Sequence, residues 1–463
     1  MVVVGAARSG IAAAELLAKR GAIVTLTESR STFDSMARLE NAGVQIERGG
    51  HQRDTLAAAE LVVVSPGVPI EQPIFEAPRA RGVEIIGELE LASRWIRGPL
   101  LAITGTKGKS TTTTLLGRML TAAGRTVLVG GNIGVPLSAQ VEASTDDTFH
   151  VVETSSFQLE TTTTFHPWIA VWLNFADDHL DRHPTVEAYA AAKARIFANQ
   201  TADDWAVVNA DDPAVMARSA GIAARRVAFS PSGSVTEGFV LDAGWIAKRT
   251  AAGTEHLVPA SAVELTGTHM LHNVLAAVAV TSIAGAPPAA MTNALAGFHG
   301  LEHVMEPAGR VGGVRFVNDS KATNVEAARR SIEAFDRGVV AIVGGRFKGG
   351  DLRELRTPMA RRGRAVVAIG DAAPLVREAL AGVVPVIDAS SMTEAVEQGY
   401  AAAAPDGVVV LAPACASFDW FRDYADRGRA FKEAVRALEQ RGGTARDEGS
   451  PRPPNDRRGG SGG

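Results

Sequence analysis

Leu100-Leu101-Ala102-Ile103-Thr104-Gly105-Thr106-Lys107-Gly108-Lys109-Ser110-Thr111 reads as an apolar strand that runs straight into a Gly-Lys-Ser turn. Leu115, Leu116, Met119 and Leu120 then recur at helical spacing, so the turn opens a helix. Strand, turn and helix N-terminus together form a phosphate cradle. Gly105 and Gly108 let backbone N–H groups turn toward an anion, the helix aims its positive end there, Lys109 adds a point charge, and the Ser110 hydroxyl can ligate Mg²⁺. The spacing departs from the common P-loop, in which a glycine precedes Gly-Lys by five residues; Ile103 stands there, and the glycine is Gly105. A bare Gly-Lys-Ser also occurs in surface loops, and it is the flanking strand and helix that argue for the cradle.

The same alternation extends both ways along the chain. Residues 2–4 are a short apolar strand, followed by a glycine turn, a helix over 11–20 and a strand over 22–27 that ends at Glu28, which is a βαβ unit. The turn Gly5-Ala6-Ala7-Arg8-Ser9-Gly10 keeps the outer glycines of a dinucleotide fingerprint, with Ala7 in place of the middle one. Glycines that serve packing alone are the alternative. With a further strand over 61–64 and the turn through Gly67, residues 1–97 read as a small Rossmann-like domain. Residues 98–297 form a central P-loop ATPase domain with strands over 100–104, 126–129, 149–152, 169–173 and 205–209. Residues 298–440, with strands over 314–317, 339–344, 365–369 and 408–412, form a Rossmann-like C-terminal domain. The expected class is therefore α/β, three domains built on parallel sheets. From 441 to 463 the Gly-Gly-Thr, Pro-Arg-Pro-Pro and Gly-Gly-Ser-Gly-Gly stretches lack apolar periodicity and read as a disordered tail.

Bulk composition narrows the partners. The chain has 463 residues, 46% hydrophobic and 21% charged, with a net charge of −4, which gives no general attraction to nucleic acid or anionic membrane. The single cysteine, Cys415, excludes an internal disulfide and a cysteine-cluster metal site, in keeping with a reducing, cytoplasmic location. The longest apolar stretch, residues 275–291, is interrupted by Thr281, Ser282, Gly285, Pro287 and Pro288 and reads as a buried helix and turn rather than a span. No basic region precedes the first apolar residues, so neither a signal peptide nor an anchor is expected.

In a parallel sheet every strand points its C-terminal end at one edge, so the phosphate loop should meet Glu153 and the run Asn174-Phe175-Ala176-Asp177-Asp178-His179-Leu180-Asp181 there. Carboxylates beside a phosphate loop suggest Mg²⁺, and Glu153 suits it; imidazole favours softer metals, which makes His179 the poorer ligand on chemistry alone. Taken singly, both could be a solvated carboxylate and a loop histidine.

Thr104-Gly105-Thr106-Lys107-Gly108-Lys109-Ser110, Gly130-Gly131-Asn132-Ile133-Gly134, Glu153-Thr154-Ser155-Ser156-Phe157-Gln158-Leu159 and Asp178-His179-Leu180-Asp181, in this order, resemble the Mur ligase family of ATP-dependent peptide-bond-forming enzymes. Asn318-Asp319-Ser320-Lys321-Ala322-Thr323-Asn324 and Ala412-Pro413-Ala414-Cys415-Ala416-Ser417-Phe418-Asp419 resemble the D-glutamate-adding branch in particular. The resemblance covers nearly all of residues 2–438. It implies UDP-N-acetylmuramoyl-L-alanine and D-glutamate as substrates, ATP with two Mg²⁺ ions, and no obligate protein partner, nucleic acid or membrane.

Carried over by position, the resemblance assigns nucleotide binding to Gly105, Thr106, Lys107, Gly108, Lys109, Ser110, Thr111, Asn273 and Asp319. Lys109, Glu153, His179 and Lys193 would be catalytic, and Ser110, Glu153, His179 and a carbamylated Lys193 would hold the metal. On pattern alone Lys193 is a surface lysine on an Ala-rich helix over 187–198. Asn132 falls near nucleotide and acyl substrate; Thr323, Lys348, Ser417 and Tyr424 match D-glutamate contacts; Ser9, Gly10, Ile11, Ser29, Arg30 and Gly67 fall where the UDP moiety is held. The chain departs from the family pattern at Met270, where asparagine is usual, and at Val304, where an arginine is usual, so the charged contact to ATP would pass to a group such as Lys107, Arg310 or Arg346 or be dispensed with. A hinge near 297–300 would let the C-terminal domain close. Ligases adding other amino acids, a nucleotide-dependent switch and a dinucleotide-dependent oxidoreductase are the rival readings.

Overall fold

The structure, a computed structural model, describes residues 1–33, 35–176, 182–263, 268–298 and 300–447. It forms two compact units, Met1–Phe298 and His299–Gly463. The first contains two sheets and the second contains one.

The first sheet comprises β1 (Val2–Val4), β2 (Thr25–Glu28), β3 (Gln45–Arg48), β4 (Leu61–Val64) and β5 (Glu84–Gly87), all parallel in the order β3-β2-β1-β4-β5. The strand order reverses between β1 and β4, which opens a crevice outside their C-terminal ends. Neighbouring helices share a core with the second sheet: Leu16, Leu89 and Ala92 pack in one cluster with Leu137, Val141 and Val152. Glu90 fastens the seam. Fully buried, it accepts the N–H groups of Thr163, Thr164 and Phe165 and the Arg94 guanidinium.

The second sheet comprises β6 (Leu100–Thr104), β7 (Thr126–Gly131), β8 (Thr148–Glu153), β9 (Ile169–Trp172), β10 (Trp205–Asn209), β11 (Arg225–Ser230), β12 (Gly238–Asp242), β13 (Trp245–Thr250) and β14 (Gly253–Pro259). Its order is β14-β13-β12-β11-β10-β9-β6-β8-β7, parallel from β7 to β12 and antiparallel over the last two. Successive strand residues feed opposite cores. Leu101, Ile103, Val151 and Val171 face the helices Lys109–Ala122 and Thr268–Ile283, while Leu100, Ala102, Val152 and Trp172 face the other side. A sheet covered on both faces demands unbroken apolar strands. Val274 to Val280 of the second helix are all fully buried, so the apolar stretch near 275 is core, and no described helix is long and apolar enough to cross a membrane.

The third sheet comprises β15 (Glu306–Val311), β16 (Val314–Asn318), β17 (Val339–Gly344), β18 (Gly363–Ile369), β19 (Val386–Ala389) and β20 (Val408–Leu411). Its order is β15-β16-β20-β17-β18-β19, with only β15 antiparallel. The last helix, Tyr424–Asp447, packs Phe431 and Val435 into this unit's core and continues through 441–447, so the segment read as a tail begins as helix. Once a helix is anchored, its polar extension adds one hydrogen bond per residue without a new nucleation cost.

Candidate active site

β8 and β9 flank β6, so three loops meet at one edge of the second sheet. Gly105 and Gly108 have φ of +156° and +81°, and a Cβ on Gly108 would lie 2.1 Å from Asn273 Oδ1. Only glycine fits there, and the contact brings Asn273 to the loop. The helix Lys109–Ala122 starts at Gly108 with no side-chain cap, leaving its first-turn N–H groups at Lys109, Ser110 and Thr111 for an anion. Asn174, at the end of β9, fixes the loop from outside: its Oδ1 accepts the N–H groups of Thr106 (3.1 Å) and Lys107 (2.9 Å), and its Nδ2 donates to Lys107 O at 3.0 Å.

Two lysines converge on this loop. Lys109 Nζ donates to Gly105 O at 2.9 Å and Thr106 O at 3.0 Å, and Lys193 Nζ donates to the same Gly105 O at 2.8 Å. Lys193 is 1% exposed and lies 4.7 Å over the Tyr189 ring, so it is not a surface lysine. Its helix, Val186–Ala194, is shorter than the expected 187–198 and ends in a 3₁₀ turn over Arg195–Phe197.

Glu153 ends β8 beside the loop, paired with Ile103 across the ladder. It is 2% exposed; Oε1 accepts Asn132 Nδ2 at 2.7 Å, and Asn132 N–H binds Glu153 O at 2.9 Å. The other oxygen, Oε2, is buried with no hydrogen-bond partner among the described residues. An orphaned carboxylate oxygen is costly unless a ligand completes it, and a hard oxygen beside a phosphate cradle fits Mg²⁺. His179 lies outside the described residues.

At the switch point of the first sheet, Gly5 has φ +91°, and a Cβ on Gly10 would fall 1.9 Å from Gly5 O. Gly10 thus lets the helix Arg8–Lys19 sit directly on the turn. Ser9 lies in the helix's first turn, Ile11 is partly buried against the core, Ser29 and Arg30 follow β2, and exposed Gly67 follows β4. Sequence reasoning missed Glu28. Burial works to raise its pKa, but bonds from the Arg30 side chain and N–H, Ala6 N–H and Ser29 Oγ outweigh that and hold it at about 2. Both oxygens are taken by the chain's own donors, whereas a dinucleotide site uses the acid at this position on a ribose hydroxyl.

In the second unit, the C-terminal ends of β16, β20, β17 and β18 share an edge. Asp319 follows β16, is buried, and accepts Met305 N–H at 3.2 Å and Ser331 Oγ; burial raises its pKa. Ala414 N–H binds Ala322 O and Arg346 pairs with Ala416, so the loops holding Thr323, Lys348 and Ser417 are laced together. Ser417 is buried, Thr323 is half-buried, and Lys348 and Tyr424 are exposed. Arg427, which sequence reasoning also missed, is 1% exposed and donates to Ser320 Oγ (3.0 Å), Ser320 O (2.9 Å) and Cys415 O (3.1 Å). Burial lowers its pKa to about 10, and it pushes that of Cys415 up to about 12.

Residues 1–87 match the family model for the Mur ligase MurD-like N-terminal domain, 103–281 the Mur ligase middle domain, and 305–415 the Mur ligase glutamate ligase domain. A protein from Acidobacterium capsulatum named UDP-N-acetylmuramoylalanine–D-glutamate ligase is 47% identical over 451 residues, covering 96% of this chain and 97% of that one. This chain belongs to the Mur ligase family. A Solibacter usitatus protein of the same name is 42% identical over 95% of this chain and 98% of its own length. Among solved structures, a UDP-N-acetylmuramate-alanine ligase from Thermotoga maritima shares the fold, with TM-score 0.55, 18% identity, and coverage of 94% of this chain and 99% of that one.

As a Mur ligase the chain is an ATP-dependent, amide-bond-forming enzyme, and Mur ligases use ATP and Mg²⁺. The switch and oxidoreductase readings fall with that. The departures from the family pattern also find a place. Met270 Sδ accepts a weak bond from Asn273 Nδ2 at 3.7 Å. Val304 sits between two residues with positive φ, His303 at +65° and Met305 at +45°. Arg310 pairs with Arg315 across the β15–β16 ladder, at the other end of β16 from Asp319.

Proposed function

We propose that this Mur ligase joins D-glutamate to UDP-N-acetylmuramoyl-L-alanine, forming ADP and phosphate, as a step in cytoplasmic peptidoglycan precursor synthesis. The relatives of that name, alike over nearly the whole chain, support the substrate pair. The observation that carries the chemistry is the orphaned Oε2 of Glu153 beside the phosphate cradle.

In this reading an alanyl carboxylate oxygen attacks the γ-phosphorus, the bond to the β-phosphate oxygen breaks, and ADP leaves behind an acyl phosphate. The D-glutamate amine then attacks the acyl carbon, and the tetrahedral intermediate expels phosphate as the amine loses its proton. Lys109 and the first-turn N–H groups at Ser110 and Thr111 neutralise the transferring phosphoryl oxygens from fixed positions. Lys107, Thr106, Asn273 and Asp319 bind the rest of the nucleotide. Ser9, Gly10, Ile11, Ser29, Arg30 and Gly67 hold the UDP moiety, Asn132 orients the acyl end, and Thr323, Lys348, Ser417 and Tyr424 bind D-glutamate. Ser110, Glu153, His179 and a carbamylated Lys193 would hold two Mg²⁺ ions, which would supply screening of the phosphate charge.

Burial supports the carbamate. Lys193 is 1% exposed and its Nζ meets Lys109 Nζ at Gly105 O, and a desolvated setting is one in which a lysine can react as the neutral amine. Lys109 keeps its charge for phosphate in this reading, and Lys193 captures CO₂: the ammonium first gives up one proton, then the neutral nitrogen bonds the carbon and loses a second, so that a cation becomes an anion with two hard oxygens. Lys193→Ala is expected to lose at least about a hundredfold in kcat, with partial recovery in acetate. Full activity in the variant would end the proposal. The substrate pair is tested by ADP release with UDP-N-acetylmuramoyl-L-alanine and each candidate amino acid; D-glutamate alone should support turnover.

A further inference from the structure

A cation in the seam of the first unit has no part in the reading above. Arg182 donates from Nη1 to Gly67 O at 3.3 Å, reaches Glu160 Oε1 from Nη2 at 3.5 Å, and stands 4.7 Å over the Phe157 ring. His183 stacks on the same ring, centroids 5.2 Å apart, and bonds Ser156 Oγ at 2.9 Å. The turn after β4 is packed on the switch-point turn: Ser65 Oγ donates to Gly5 O at 2.8 Å, and a Cβ on Gly5 would meet Val68 Cγ2 at 3.1 Å. At the other end, Phe157 follows Glu153 by four residues through the capped helix Ser156–Leu159. Arg182 therefore bridges the turn after β4 and the helix that follows Glu153. The turn lies on the side of the switch-point crevice and the helix on the side of Glu153, so a substrate with its nucleotide half in the crevice and its reacting carboxylate beside Glu153 would span the two.

The hold of Glu160 on Arg182 is loose. Its 3.5 Å contact is at the limit of a hydrogen bond, and the imidazole Nδ1 of His183 is 3.9 Å from Oε2. Burial, with Glu71 adding to it, raises the Glu160 pKa to about 7 against the pull of Arg182. A bidentate structural ion pair would look different, shorter and with both forks engaged. The guanidinium side chain keeps 21% of its surface exposed and has donors to offer.

We propose that Arg182 recognises the acyl half of the UDP-linked substrate, exchanging Glu160 for the amide and carboxylate oxygens of the N-acetylmuramoyl-L-alanine portion. The inference rests on the proposed function, and the test separates the two. Calorimetric titration of the full chain uses UDP and UDP-N-acetylmuramoyl-L-alanine as probes. If the unaltered chain gains nothing from the acyl half over UDP, the functional reading fails regardless of Arg182. Given that gain, Arg182→Gln should weaken UDP-N-acetylmuramoyl-L-alanine by about tenfold or more and leave UDP within about twofold, as expected for a lost charge-assisted bond. Glu160→Gln, by removing the competing carboxylate, should tighten the full substrate by about two- to fivefold. Equal weakening of both probes would make Arg182 a prop for the Gly67 turn and overturn the proposal, as would no weakening of either. Should Arg182→Gln melt early, Arg182→Lys keeps a donor to Gly67 but not the fork, and the same contrast between probes decides.

Discussion

The phosphate cradle of the first unit and the strand-end loops of the second are built by opposite means. The cradle's binding groups are backbone N–H groups and small side chains, fixed by glycine conformations and by Asn174; two lysines meet at Gly105 O, and Oε2 of Glu153 is buried with no hydrogen-bond partner among the described residues. The loops around Thr323 and Ser417 are instead held by a side chain, Arg427, whose three bonds run to neutral acceptors on Ser320 and Cys415. A buried carboxylate oxygen with no partner among the described residues is what a bound ligand would complete, so substitutions in the cradle should remove chemistry and spare the fold. Substitution of a buried rivet should do the reverse.

The largest effect is therefore expected in the cradle. Lys109→Ala and Glu153→Ala should each lower kcat by about a hundred- to a thousandfold, the scale of a lost transition-state electrostatic contact, with the melting temperature unchanged or raised. ADP release and thermal denaturation measured on the same samples check both halves. An early-melting Lys109→Ala protein would erase the contrast between the two regions.

Arg427→Met is the converse variant. It removes a buried cation but strips donors from Ser320 Oγ, Ser320 O and Cys415 O, all inaccessible to water. Each stranded acceptor costs about 1–3 kcal/mol, partly offset by the lost desolvation of the cation. A net loss of about 2–4 kcal/mol is expected in the urea unfolding of the second unit. Unchanged stability would show that Arg427 is no rivet.

What the sequence revealed follows the same division. β10 and β17 fall on the expected residues because fully buried parallel strands write themselves as apolar runs bounded by turns. β11 to β14 were missed: Arg225, Arg226, Lys248, Arg249 and Glu255 break the pattern in strands that extend the sheet toward solvent. In the site, glycines and strand-end carboxylates were legible because turn chemistry and sheet topology fix them locally. The roles of Arg427 and Glu28 were not, since a buried arginine on a charged helix and an acid that closes β2 reveal their partners only when separate loops are brought together. Asn174 stood in a quoted run, yet its grip on the cradle depends on β9 lying beside β6.

The smallest effect separates binding from bracing within the second unit itself. Ser417 is 2% exposed and directly follows the residue whose carbonyl accepts Arg346 N–H at 2.9 Å, so the loop's path is set by its backbone and by Arg427 rather than by the Ser417 hydroxyl. Removing that hydroxyl should leave the unfolding midpoint in place, unlike Arg427→Met. If the hydroxyl donates to a D-glutamate carboxylate, its loss costs one charge-assisted bond, worth about 1.5–3 kcal/mol and so at least about tenfold in affinity. Ser417→Ala should then raise KM for D-glutamate by about tenfold while KM for ATP moves by less than about twofold, because the nucleotide makes no use of that bond. An equal rise in both constants would take Ser417 out of the amino-acid pocket, and a drop in stability would make it a second brace of the loop rather than a ligand.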